Sequence, residues 1–121
     1  MMKKYLFFKL CNNFYSFKKK SNNLWIIGEF LTNYFVDDSL EYREKIKNNA
    51  NFTLSFDDIY LRKKNNTVIF GDLYNPETSI YLNTKSIICA LNLWIKLRKE
   101  KVKTITLEVN GENISIYSPL I

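Results

Sequence analysis

"SIICALNLWIKLRKEK", Ser86 to Lys101, is the stretch on which the fold turns. Ile87 or Ile88, then Leu91, then Trp94 or Ile95 recur at spacings of three and four. That is the apolar stripe of an amphipathic helix. Asn83 or Thr84 stands where a capping side chain belongs, able to accept from the free N–H groups of a first turn. Arg98 and Lys99 close the stretch, with positive charge at the end where the helix dipole is negative. Downstream, in "TITLEVNGENISIYS", Ile105, Leu107 and Val109 alternate with polar residues, Asn110-Gly111 follows, and Ile114 and Ile116 resume the alternation. Asn-Gly between alternating apolar residues is a strong hairpin signal. A helix with one apolar stripe beside a hairpin with one apolar face predicts a helix packed on a twisted antiparallel sheet.

Upstream lies a second β region. Phe52, Leu54 and Phe56 alternate, the phase slips at Asp57-Asp58, and Ile59 and Leu61 carry it on. A slip of this kind predicts a bulge or bend within one strand. "RKKNN" (62–66) then turns the chain into a second run, Thr67 to Leu73, making an antiparallel hairpin. "YNPET" (74–78) predicts a loop with Pro76 as its breaker. Before these, "DDSLEYREKIKNN" places Asp38 three residues ahead of Glu41, the capping-box spacing, with Lys45 and Lys47 at the far end. Only Leu40 and Ile46 give that helix an apolar face, so it belongs at the surface. "LWIIGEFLTNYF" (24–35) is apolar on more than one side and predicts a strand or helix start near Leu24 to Ile27, then a helical turn around Glu29 to Phe35. At the N-terminus, Phe7, Leu10, Cys11, Phe14 and Phe17 fit a helical stripe, while Tyr5 to Leu10 fit a strand equally well, with a break at Asn12-Asn13.

The predicted class is therefore α+β: a twisted antiparallel sheet built from hairpins, a long Trp-containing helix on one face, and one or two further helices in the N-terminal half. The 121 residues suit a single domain spanning 1–121. Hydrophobic residues make up 46% of the chain, enough for a core without metals or disulfides.

Catalytic chemistry finds little to work with. The chain has no histidine, so Ser-His and Cys-His pairs are excluded, as is a zinc site of the usual Cys/His type. Cys11 and Cys89 are far apart in sequence and read as reduced, buried thiols, Cys89 on the core-facing helix. Gly28, Gly71 and Gly111 are isolated and form no phosphate loop. Asp57 and Asp58 could join Glu29 or Asp72 in a carboxylate metal site, but adjacent residues of a regular strand point to opposite faces, so a bulge or solvated edge is the simpler reading. No enzyme activity and no cofactor are expected.

The opening "MMKKYLFFKLC" has a charged start and an apolar run, but Lys9 cuts that run short of the ~7 residues a signal peptide needs. No stretch approaches the ~18 apolar residues of a membrane span, and a cytoplasmic protein is expected. The net charge is +6, which favours polyanions or acidic proteins as partners. Three basic knots carry much of it: Lys18, Lys19 and Lys20; Arg62, Lys63 and Lys64; and the run through Arg98 and Lys99 to Lys103. The first two knots, with Arg98 and Lys99, are the candidate partner-binding residues. The aromatics do not interleave with cations in one motif, so nucleic-acid binding is the alternative rather than the leading reading.

Three pieces together carry a family likeness: "WIIGEFL" followed by the acid-capped helix, the "TLSFDDIYL…TVIFGDLY" hairpin, and "SIYLNTKSIICALNLWIKL", a strand leading into a helix with Leu91 and Trp94 in Leu-x-x-Trp spacing. In this order they resemble small immunity proteins of bacterial polymorphic toxin systems, contact-dependent growth inhibition among them. The likeness covers about Trp25 to Leu97. It implies a non-enzymatic protein that binds a cognate toxin domain, 1:1, and occludes its active site. It carries over no contact residue. Inhibitors of cationic nucleases are often acidic, and this chain is basic, which argues against mimicry of nucleic acid.

Overall fold

The structure is a computed structural model and describes residues 3–18, 22–36 and 39–118. The architecture is α+β, with two four-stranded antiparallel sheets and three helices. In chain order the elements are β1 (Lys3–Cys11), β2 (Phe14–Phe17), α1 (Trp25–Glu29) running into a π-helical turn (Phe30–Tyr34), α2 (Ser39–Asn48), β3 (Asn51–Ser55), β4 (Ile59–Lys64), β5 (Thr67–Asp72), β6 (Asn75–Asn83), α3 (Thr84–Lys99), β7 (Thr104–Asn110) and β8 (Asn113–Tyr117). The first sheet has the order β2-β1-β7-β8 and the second β3-β4-β5-β6.

The expectation of one sheet is corrected to two. Part of the reason lies at the N-terminus, where the strand reading holds. Asn12 and Asn13 both adopt positive φ, 50° and 72°, and asparagine tolerates that conformation better than most residues. They reverse the chain in two residues and pair Cys11 with Phe14. The β1–β2 hairpin then joins the β7–β8 hairpin, with Leu6 opposite Leu107 and Phe8 opposite Ile105. The expected bulge at Asp57-Asp58 is also corrected: these are the central residues of a tight turn that separates β3 from β4. Phe56 N–H closes it by donating to Ile59 O at 2.8 Å. Alternation survives such a reversal, so a turn and a slip read alike. Pro76 lies inside β6 rather than in a loop. It is tolerated there because β6 is the last strand of its sheet and that end is exposed.

The sheets meet at the start of α3. Asn83 caps this helix as expected, its Oδ1 accepting from Lys85 N (2.9 Å) and Ser86 N (3.3 Å). Its own N–H donates to Glu112 O at 2.7 Å, between β7 and β8, and Thr84 N donates to Asn66 O at 2.9 Å, between β4 and β5. Gly111 in the β7–β8 turn has φ 65°, the left-handed region in which a side chain is strained.

Ile87, Ala90, Leu91 and Trp94 of α3 are buried. The Trp94 ring meets Phe8 edge-on, with centroids 4.8 Å apart, and lies 5.5 Å from Tyr15. The Tyr15 hydroxyl donates to Val102 O, and burial pushes its phenol above the ordinary value of 10.0. A second aromatic cluster fills the space over the other sheet, where Phe30 meets Phe35, Tyr42, Phe56 and Phe70. The segment apolar on several sides is thus a helix held inside: Leu24, Ile26, Ile27, Phe30 and Leu31 are all buried. Helix α2 lies nearer the surface, with Ile46 buried and Leu40 exposed. Its expected cap, Asp38, falls outside the described residues. Among the described residues no helix is long and apolar enough to cross a membrane.

Candidate partner-binding face

Strand alternation sends Leu6 and Phe8 of β1 into the core, and therefore Tyr5, Phe7 and Lys9 outward. The register across the sheet sets what stands beside them. One row runs Ser16, Lys9, Thr104, and the next runs Phe7, Thr106, Tyr117. Tyr5 and Phe7 stack with their rings parallel within 6° and centroids 6.2 Å apart. These rows line a concave groove of about 780 Å³ on the outer face of the first sheet. Phe7 is 52% exposed and Tyr117 39%, and Phe14, on the same face by register, is 74% exposed. Thr106 between Phe7 and Tyr117 is only 4% exposed, so it forms the floor.

The charge around the groove is uneven. Lys9 and Lys18 line its β2 side and both are exposed. At the opposite end Glu108 faces Lys3 Nζ at 3.9 Å and accepts from the Tyr117 hydroxyl at 3.4 Å. Desolvation raises the Tyr117 phenol above its ordinary range, and the Glu108 carboxylate adds to the shift. Glu108 is thus already engaged, while the ammonium groups of Lys9 and Lys18 face solvent.

The predicted cationic residues that the structure describes do not converge. Lys18 lies at the groove, and Lys19 and Lys20 fall outside the described residues. The second knot is split by alternation: Arg62 and Lys64 face outward, whereas Lys63 is 6% exposed and donates to Ile46 O of α2. Arg98 donates to Phe35 O at 2.9 Å, bridging the end of α3 to the end of the π-helical turn. Lys99 is exposed at the end of α3. On the outer face of the second sheet, Tyr60 engages its neighbours. The Tyr60 ring lies so close over Gly71 that a Cβ there would overlap it. Its hydroxyl shares a hydrogen bond with Ser79 at 3.2 Å, and Arg62 sits 5.4 Å from its centroid.

Tyr5, Phe7 and Tyr117 were not singled out from the sequence as site residues. The signal was present in Asn12-Asn13: once read as a two-residue hairpin turn, it fixes which of Tyr5 to Leu10 point outward.

The thiols require a correction. Cys11 and Cys89 are both free and both exposed. Cys89 falls off the Ile87–Leu91–Trp94 stripe, and Cys11 shares the outward face with Lys9. Of the carboxylates once weighed as a metal site, Asp57 and Asp58 occupy the β3–β4 turn and Asp72 Oδ1 accepts from Tyr74 N at 2.9 Å. Among the described residues no group of three Cys, Asp or Glu side chains converges in a way that could hold a metal ion. No protein-family model, curated protein or solved structure matches this chain.

Proposed function

We propose that this chain is a cytoplasmic immunity protein that binds a cognate bacterial toxin domain in a 1:1 complex and blocks its active site. The observation that carries the binding reading is the groove on the outer face of the first sheet, where Phe7 and Tyr117 expose aromatic surface together, with Phe14 exposed farther along the same face. Scattered exposed apolar residues need no explanation, but a grouped patch in a concavity is a mark of an interaction site. Aromatic side chains are also the anchors around which protein interfaces concentrate their binding energy. The resemblance of the segment order to immunity proteins supplies the identity of the partner. Inhibition by occlusion asks for a surface of the inhibitor and no reactive group of its own.

The test is co-expression with the product of the adjacent upstream reading frame. The reading expects protection of the cell from that product and co-purification of the two chains in equal amounts. Toxicity unchanged by co-expression, with no complex on size exclusion, would refute it. The runner-up, a small basic nucleic-acid-binding regulator, draws on the same aromatics beside Lys9 and Lys18. It expects affinity for any nucleic-acid sequence that falls steeply with salt, because bound counterions are released.

A further inference from the structure

We infer that the groove on the first sheet receives an acid-flanked apolar segment of the partner protein: an apolar side chain seated between Phe7 and Tyr117, with neighbouring carboxylates meeting Lys9 and Lys18. The inference rests on the reading of the chain as a protein-binding inhibitor and says which feature of the partner it grips.

Charge complementarity selects the occupant. The floor and walls are aromatic and methyl-bearing, from Tyr5, Phe7, Thr106 and Tyr117, so the group that fills them is apolar. The exposed charge beside them is positive and lies on the β2 side, at Lys9 and Lys18. Among the described residues the one carboxylate of the face, Glu108, is held by Lys3 and Tyr117 at the other end. A basic segment would therefore meet two ammonium groups that no carboxylate among the described residues offsets, whereas an acidic segment offsets them as the groove is desolvated. Nucleic acid fits less well. The chain's three arginines, Arg43, Arg62 and Arg98, all lie on α2, the second sheet and α3, away from this face. Tyr5 and Phe7 stack on one another, whereas a nucleic-acid platform leaves ring faces open for bases.

The inference can be tested without knowing the partner. A random-peptide display library is panned on the purified full chain, and enriched peptides are synthesised and titrated at about 0.15 M salt. Enriched peptides are expected to place an apolar residue next to Asp or Glu. Phe7→Ser should weaken them by at least about tenfold, as should Lys9→Glu combined with Lys18→Glu. Tyr81→Ser, on the outer face of the second sheet, should leave binding unchanged. Panning the doubly charge-reversed variant should instead enrich Lys or Arg beside the apolar residue. Thermal melts of each variant, all altered at outward positions, check that the fold is kept. Peptides without acidic residues, binding indifferent to Phe7, or failure to enrich any peptide would overturn the inference. So would tighter binding of a single-stranded oligonucleotide in the same salt. Failure here is separable from failure of the inhibitor reading. A toxin complex that the enriched peptides do not displace keeps that reading and discards the groove. Peptide binding at the groove without any toxin complex does the reverse.

Discussion

Ser86 holds the backbone of Ile114 by both of its polar groups: the Ser86 hydroxyl donates to the Ile114 carbonyl at 2.9 Å and accepts from its amide at 2.7 Å. Ile114 belongs to β8, the last strand of the first sheet, and Ser86 to the first turn of α3. An unpaired strand edge is open to pairing with another chain. One hydroxyl here satisfies both backbone groups that face away from β7. Ser86→Ala should cost about 1–3 kcal/mol, because two half-buried groups lose their partner at once. Hydrogen exchange should accelerate at the Ile114 amide before it does elsewhere in β8. An unchanged exchange rate there would contradict the clasp.

Trp94 ties α3 to the first sheet through Phe8 and Tyr15, and it is 1% exposed. Trp94→Ala should cost roughly 3–5 kcal/mol, read as a large fall in the denaturation midpoint with little change in slope. A variant that unfolds at the parent's midpoint would show that the indole is not in the core.

Two adjacent lysines should behave in opposite ways. Lys63 is buried and donates to a carbonyl of α2, whereas Lys64 points to solvent. Lys63→Ala should destabilise by about 1–3 kcal/mol, while Lys64→Ala should stay within roughly 0.5 kcal/mol of the parent. Equal effects in chemical denaturation would mean that the register of β4 is wrong.

Both thiols are exposed, so the native protein should release two equivalents of chromophore from a disulfide reagent without denaturant. Reaction that waits for unfolding would restore the buried placement expected from the helical stripe.

Patterning that repeats with one period was legible in the sequence. The α3 stripe, its Asn83 cap and the β7–β8 hairpin all follow from local spacing, and the structure has each of them. Features that depend on chain reversal were harder to read. At Asp57-Asp58 a tight turn and a bulge leave the same alternation, so two strands looked like one. At the N-terminus every residue from Tyr5 to Leu10 except Lys9 is apolar, so neither period stands out, and the reversal with positive φ at Asn12 and Asn13 is what marks a hairpin. The groove was hidden for the same reason, since its residues come from β1, β2, β7 and β8 and meet only through register. Charge alone does not show which way a side chain points. Lys63 and Arg98 belong to basic knots in the sequence, yet both bond to backbone carbonyls within the chain.

Hydroxyl-radical footprinting of the chain, alone and in complex with the proposed toxin partner, tests the binding face most directly. Phe7, Phe14 and Tyr117 are exposed on the first sheet's outer face, while Tyr74 and Tyr81, exposed elsewhere at 78% and 55%, serve as internal controls. The account expects oxidation of Phe7 and Tyr117 to fall several-fold in the complex while Tyr74 and Tyr81 stay unchanged. Protection of Tyr74 or Tyr81 with Phe7 and Tyr117 still fully reactive would contradict it.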